Sequence, residues 1–253
     1  MTTALRTEKL GKTYRVGFFM RRVEGLRDLD LEVNAGEAFG FIGPNGAGKT
    51  TTIKILMGLH KATTGTAEIF GVPVTEAKSR RRVGFLPERP YFYEHLTARE
   101  VLHFYGQLFD MDADLRRDRI EMLLNRVQLE RFADVTLAKY SKGMLQRVGL
   151  CQALLHDPDL IVLDEPMSGL DPVGRALVRD LILEQRELGK TVFFSSHILS
   201  DVEAICDRVA ILVGGELRES GKLKDVVADR ESLEAVLVGE MTKVVDEDRL
   251  GVL

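Results

Sequence analysis

Tryptophan is absent from the 253-residue chain, and cysteine occurs only at Cys151 and Cys206. Both cysteines sit in apolar-periodic segments and form no Cys-x-x-Cys pair, which argues against a disulfide framework or a thiolate metal knot. Buried, reduced thiols are expected. Long apolar runs are also missing, so no segment reaches the length that spans a bilayer. Met1-Thr2-Thr3-Ala4-Leu5-Arg6 lacks the apolar core of a secretion signal. Any membrane role is therefore expected to come through a partner. Charge of one sign does not dominate: 35 Lys and Arg against 39 Asp and Glu leave a formal net charge of −4, and no nucleic-acid partner is expected. Internal repeats and low-complexity segments are lacking as well. What remains is long enough for one large α/β domain or two small lobes.

Against that background, Gly43-Pro44-Asn45-Gly46-Ala47-Gly48-Lys49-Thr50 forms a complete Gly-x-x-x-x-Gly-Lys-Thr phosphate loop. Its glycines let the backbone curl so that successive N–H groups face phosphate oxygens. The helix that follows adds the positive end of its dipole. Lys49 is placed to reach the β- and γ-phosphates, and the Thr50 hydroxyl to bind Mg²⁺. Glu37–Ile42 reads as the strand entering the loop and Thr51–Met57 as the helix leaving it, the context the motif requires.

Elsewhere the N-terminal third reads as strands and turns, with Leu31-Glu32-Val33 and Ala67–Gly71 as short strands. Arg15–Val23 sets Phe18 and Phe19 beside arginines, and an extended hairpin is its favoured form over a membrane-touching loop. Thr97-Ala98-Arg99-Glu100 is a capping box opening a helix through Phe109. A second helix runs through Ile120, Leu123, Leu124 and Val127, so a helical insert lies in the middle of the chain. The last third alternates apolar strands (Leu160–Leu163, Thr191–Phe194, Val209–Val213) with helices around Val178–Glu187 and Leu199–Ile205. That alternation predicts a mostly parallel sheet wrapped by helices.

Asp164 and Glu165 stand where the apolar strand Leu160–Leu163 ends, the end that faces the ligand crevice in a parallel sheet. Asp164 is placed to hold Mg²⁺, and Glu165 to orient or deprotonate an attacking water. Upstream, Ser141 suits the N-cap of a helix over Leu145–Leu155, whose glycine-bearing start is an anion site.

Taken together, these residues resemble the ATP-binding cassette family, the nucleotide-binding subunits of ABC transporters. In that resemblance Gly43–Thr50, followed by Thr51, is the Walker A motif, Leu160–Asp164 is Walker B and Glu165 is the catalytic glutamate. Tyr140-Ser141-Lys142-Gly143-Met144 stands at the family signature, commonly Leu-Ser-Gly-Gly-Gln. Ser168-Gly169-Leu170-Asp171 matches the D-loop, His197 the switch histidine, and Tyr14 the aromatic that stacks on adenine. Two departures stand out. Tyr140, Lys142 and Met144 replace the commonest signature residues, and Glu88 occupies the place of the Q-loop glutamine, where a carboxylate can coordinate Mg²⁺.

The resemblance implies an α/β fold: a P-loop NTPase core with a mostly parallel sheet, an N-terminal antiparallel β lobe and a helical lobe over about residues 90–157. The cassette would occupy residues 1–220, leaving 221–253 as an extension of unknown role. It further implies Mg²⁺-dependent ATP hydrolysis in a homodimer that sandwiches ATP between Walker A of one chain and Ser141 and Gly143 of the other. Such a subunit would sit on the cytoplasmic face of the membrane, held by a permease through Glu88–Leu108, with Tyr91 and Phe92 as anchors, and would power export. The rival is a soluble ABC ATPase that remodels a cytosolic complex. A GTPase switch would lack its Asn-Lys-x-Asp guanine reader and leave Ser141–Gly143 unexplained.

Overall fold

The computed structural model describes residues 2–17, 20–228 and 230–250, with Val16 and residues 245–250 described by their backbone alone. Strands β1 (Thr3–Val16) and β2 (Arg21–Asn34) form a long antiparallel hairpin, paired as far as Val16 opposite Arg21. The favoured hairpin over Arg15–Val23 is thus found, although Phe18 and Phe19 lie outside the described residues. Leu31–Val33 is only the end of this much longer β2. Its extension through Arg21–Leu26 carries a mostly exposed face, so the apolar pattern that marks a strand is missing there.

Beyond β3 (Ala38–Ile42), the chain turns through the phosphate loop into helix α1 (Lys49–Leu56). Strands β4 (Thr64–Ile69) and β5 (Val72–Pro73) return to the hairpin and complete a four-stranded sheet in the order β2-β1-β4-β5. Strand β6 (Val83–Leu86) leads into the helical lobe: α2 (Ala98–Leu108), α3 (Ala113–Arg126) and α4 (Lys142–Leu154). The capping box forms as its sequence predicts, Thr97 Oγ1 accepting from the Glu100 N–H and Glu100 accepting from the Thr97 N–H. Strand β7 (Leu160–Asp164), helix α5 (Pro172–Glu187), strand β8 (Thr191–Ser196), helix α6 (Leu199–Ile205) and strand β9 (Arg208–Val213) follow in alternation. Strand β10 (Glu216–Lys222) and helices α7 (Leu223–Val227) and α8 (Leu233–Leu250) close the chain.

The second sheet runs β10-β9-β3-β8-β7-β6, parallel throughout except for the antiparallel β10. Its central strands are buried on both faces, which is why they read as continuous apolar runs. Successive side chains then serve two different cores. Phe39, Phe41 and Phe193 face the N-terminal sheet, with ring centroids 5.3–5.9 Å apart. Ala38, Ile42 and Phe194 face the helices. Gln146 on α4 reaches from the helical lobe to the Pro166 carbonyl (3.3 Å), just beyond β7.

The boundary read at 220/221 falls inside β10, and Leu233 and Val236 of α8 are buried in the same core as β9 and α6. Both cysteines are free and buried, and burial pushes each thiol well above its ordinary pKa. They are inert core residues.

Candidate nucleotide site

Three adjacent parallel strands end side by side and assemble the site. Ile42 at the end of β3 pairs with Ser196 of β8, and Asp164 at the end of β7 pairs with Ser195. The phosphate loop, the paired carboxylates and His197 therefore open onto one edge of the sheet, where parallel sheets bind their ligands. Two loop glycines are required by geometry. A Cβ on Gly43 would overlap the Leu212 carbonyl, and one on Gly48 (φ +108°) would stand 2.6 Å from the Gly25 carbonyl oxygen.

The cleft, about 510 Å³, is lined by Pro44 through Thr51 together with Gly25, Glu88, Glu165, Ser168 and His197. Lys49 is buried and donates to the carbonyls of Gly43 (2.6 Å) and Pro44 (3.2 Å), with Glu165 Oε1 3.7 Å away. Burial lowers the Lys49 pKa, against the opposing pull of Glu165 and Asp164. Thr50 Oγ1 donates to Asp164 Oδ1 at 3.4 Å. Burial raises the Asp164 pKa, and the hydroxyls of Ser195 and Thr50 partly offset it.

Glu165 is also buried, with His197 Nδ1 2.7 Å from its Oε2. Thr50 and Asp164 present hydroxyl and carboxylate oxygens side by side beside the phosphate loop, a hard donor set that suits Mg²⁺. Glu88 adds an exposed carboxylate to the same cleft. The arrangement can bind a polyphosphate, hold a divalent ion against it and present a carboxylate to a water.

Tyr14 is half-buried, its hydroxyl 3.1 Å from Thr51 Oγ1 and 3.2 Å from His60 Nδ1, so it stands at the rim of the loop. Ser141, Gly143 and Asp171 are not brought to the phosphate loop of their own chain. They line a separate cleft of about 450 Å³ with Lys142, Arg147 and Gly169. Ser141 caps α4 through the Met144 N–H, and Asp171 caps α5 through the Gly174 N–H.

The altered signature residues have local explanations. Tyr140 is buried and its hydroxyl donates to the Phe132 carbonyl (2.7 Å), Met144 packs against the core, and the Lys142 stem crosses Gly169.

The anchor pair read at Tyr91 and Phe92 requires a correction. Tyr91 is 87% exposed, whereas Phe92 is 8% exposed and belongs to the core shared with the helical lobe. Sequence reading also missed Gly25, which lines the cleft, His60 at the Tyr14 hydroxyl, and Ser195, which bonds the Asp164 carboxylate and the Glu165 N–H. Only Ser195 left a trace in the sequence: a hydroxyl inside an apolar strand run.

Comparison with known proteins agrees with this geometry. The family model described as ABC transporter matches residues 26–168, more than half of the chain. An uncharacterised ABC transporter ATP-binding protein of Synechocystis is 50% identical over 236 residues, 92% of this chain and 67% of that protein. The bacitracin transport ATP-binding protein of Bacillus licheniformis is 40% identical, over 87% of this chain and 70% of its own length. Among solved structures, an ATP-binding subunit of an ABC transporter superposes with a TM-score of 0.85 at 33% identity, covering 94% of this chain and 99% of that one. A dimeric ATP-binding cassette in a post-hydrolysis state with ADP and phosphate gives 0.80 at 28% identity, covering 86% and 98%. The chain belongs to the ATP-binding subunits of ABC transporters.

Proposed function

We propose that this subunit hydrolyses ATP with Mg²⁺ as a homodimer and powers export through a separate membrane permease. One observation carries the reading: Lys49, Thr50, Glu165 and His197 line a single cleft at three adjacent strand ends, with Asp164 bonded to Thr50 beside it. Residues Gly43–Thr51 cradle the phosphates with backbone N–H groups, and the Tyr14 ring receives the base. Thr50 and Asp164, with Glu88 beside them, would hold Mg²⁺, which supplies charge neutralisation on the phosphate oxygens. Glu165 takes the proton of the attacking water, and His197 orients it. Ser141 and Gly143, with Asp171 behind them, complete the site from the other subunit, because they face a different cleft in their own chain.

Export is supported by a relative of Cupriavidus pinatubonensis named a Nod factor export ATP-binding protein, 34% identical over 84% of this chain. Among the described residues no helix is long and apolar enough to cross a membrane, so a transporter of this kind needs a spanning partner. Its proposed seat is the apolar cleft of about 390 Å³ between the sheet core and the helical lobe, lined by Pro87, Pro90, Tyr91, Tyr105 and Phe109. A permease helix laid there would touch the segment carrying Glu88, joining transport to the nucleotide cleft.

The test uses Glu165→Gln. It should bind ATP, lose roughly 100- to 10,000-fold in turnover, and accumulate as a closed dimer in ATP and Mg²⁺ by light scattering. Tyr91→Ser should leave basal hydrolysis intact and abolish co-purification with the permease. Capture of only soluble partners would replace the exporter reading with that of a cytosolic remodelling ATPase.

A further inference from the structure

We infer that Ser195 is a positioning residue for ATP hydrolysis, its single hydroxyl setting the geometry of both carboxylates at the end of β7. The inference rests on the ATPase reading above. Ser195 lies on β8, opposite Phe41 of β3 and Asp164 of β7, and is fully buried, where a hydroxyl is costly unless bonded. It donates to Asp164 Oδ1 at 2.6 Å and accepts from the Glu165 N–H at 3.0 Å. The one proton of the hydroxyl is thereby committed to Asp164, leaving a lone pair to receive the neighbouring amide.

The position in the sheet explains the second bond. Asp164 opposite Ser195 is the last pair of the β7–β8 ladder. At the next residue the backbone turns out of the sheet, Glu165 adopting φ +51°, a left-handed conformation that a side chain with a Cβ enters at a cost. The Ser195 hydroxyl captures the amide that has just left the ladder and so holds the turn. That turn puts the Glu165 carboxylate 3.7 Å from Lys49 Nζ and 2.7 Å from His197 Nδ1. Without the hydroxyl, the buried Glu165 N–H loses its side-chain acceptor, and Asp164 Oδ1 keeps only the longer bond from Thr50. Ser196, next along, exchanges bonds with the Ile198 backbone, so His197 is fixed from its own strand end as well.

The test compares Ser195→Thr with Ser195→Val, side chains of the same shape that differ in carrying the hydroxyl. Any overpacking is common to both. Ser195→Thr should stay within about threefold of the unaltered protein, whereas Ser195→Val should lose roughly 10- to 100-fold in kcat, the scale of a misplacement near 1 Å. KM for ATP should change little. In nucleotide-free protein, hydrogen exchange at the Glu165 amide should be slow with Ser or Thr and fast with Val. A merely space-filling Ser195 would leave Val equal to Thr in kcat and in exchange, and that result overturns the inference. Should the β-branched pair fail to fold, Ser195→Ala must show the same kcat loss and fast exchange, and its failure to do so is equally fatal. An unaltered protein that hydrolyses no ATP would sink the ATPase reading, while the exchange comparison would still decide the role of Ser195.

Discussion

His197 Nδ1 lies 2.7 Å from Glu165 Oε2, while Lys49 Nζ lies 3.7 Å from the other oxygen of the same carboxylate. Glu165 is thus held from both sides, by a partly exposed imidazole and a buried ammonium. His197→Ala frees one side only. Turnover should drop by roughly 100-fold, the scale of a mispositioned reacting group, with ATP affinity nearly unchanged. Phosphate release and equilibrium nucleotide binding, measured on the same preparation, separate the two. A loss of affinity matching the loss of rate would mean that His197 serves binding instead.

Asp164 illustrates a site residue that costs stability. Its folded pKa is raised by burial, so between the unfolded value and that raised value the native state holds more protons than the unfolded state. Stability contributed by this group therefore falls as pH rises through that window, and the full penalty is present above it. Asp164→Asn, which keeps an acceptor for Ser195 and Thr50, should raise the melting temperature at pH 7. The gain should shrink as pH falls through the window, and Mg²⁺-dependent hydrolysis should be lost. A melting temperature unchanged at every pH would contradict the burial argument.

Because Ser141 and Lys49 line different clefts of one chain, their defects should complement. Lys49→Ala and Ser141→Arg chains, each inactive alone, should recover some ATPase activity when mixed. The recovered fraction should follow heterodimer content, which differently tagged chains report. Heterodimers without recovery would place the whole site in one chain.

Tyr14 bonds Thr51 through its hydroxyl, and in the function proposed above its ring receives the base. Tyr14→Phe keeps the ring and should bind ATP almost as the unaltered protein does. Tyr14→Ala should weaken binding by roughly 1–3 kcal/mol, the range for stacking on a base, with discrimination against GTP remaining modest. Isothermal calorimetry with both nucleotides checks this. Equal losses in the two variants would shift the contribution from the ring to the Thr51 bond.

Much of the molecule is decided over short stretches of sequence. The Thr97/Glu100 capping box and the caps at Ser141 and Asp171 use partners three residues away, and the Gly43–Thr50 loop between β3 and α1 is bonded within itself, Lys49 reaching the carbonyls of Gly43 and Pro44. The apolar runs of β7, β8 and β9 announce strands buried on both faces for the same local reason. Other features depend on which strand lies beside which. Ser195 meets Asp164 only because β8 inserts between β3 and β7 in this register, 31 residues apart in sequence. Tyr91 and Phe92 are adjacent aromatics with equal claims to an interface, yet the approach of the helical lobe buries one and leaves the other in solvent. The sequence by itself determined the phosphate loop, the caps and the buried strands, since backbone conformation and near-neighbour hydrogen bonds settle them. Tertiary structure alone decided the support of Asp164 and Glu165 by Ser195 and which of Tyr91 and Phe92 stays exposed, because both rest on contacts between segments whose distance in sequence carries no trace of their contact in space.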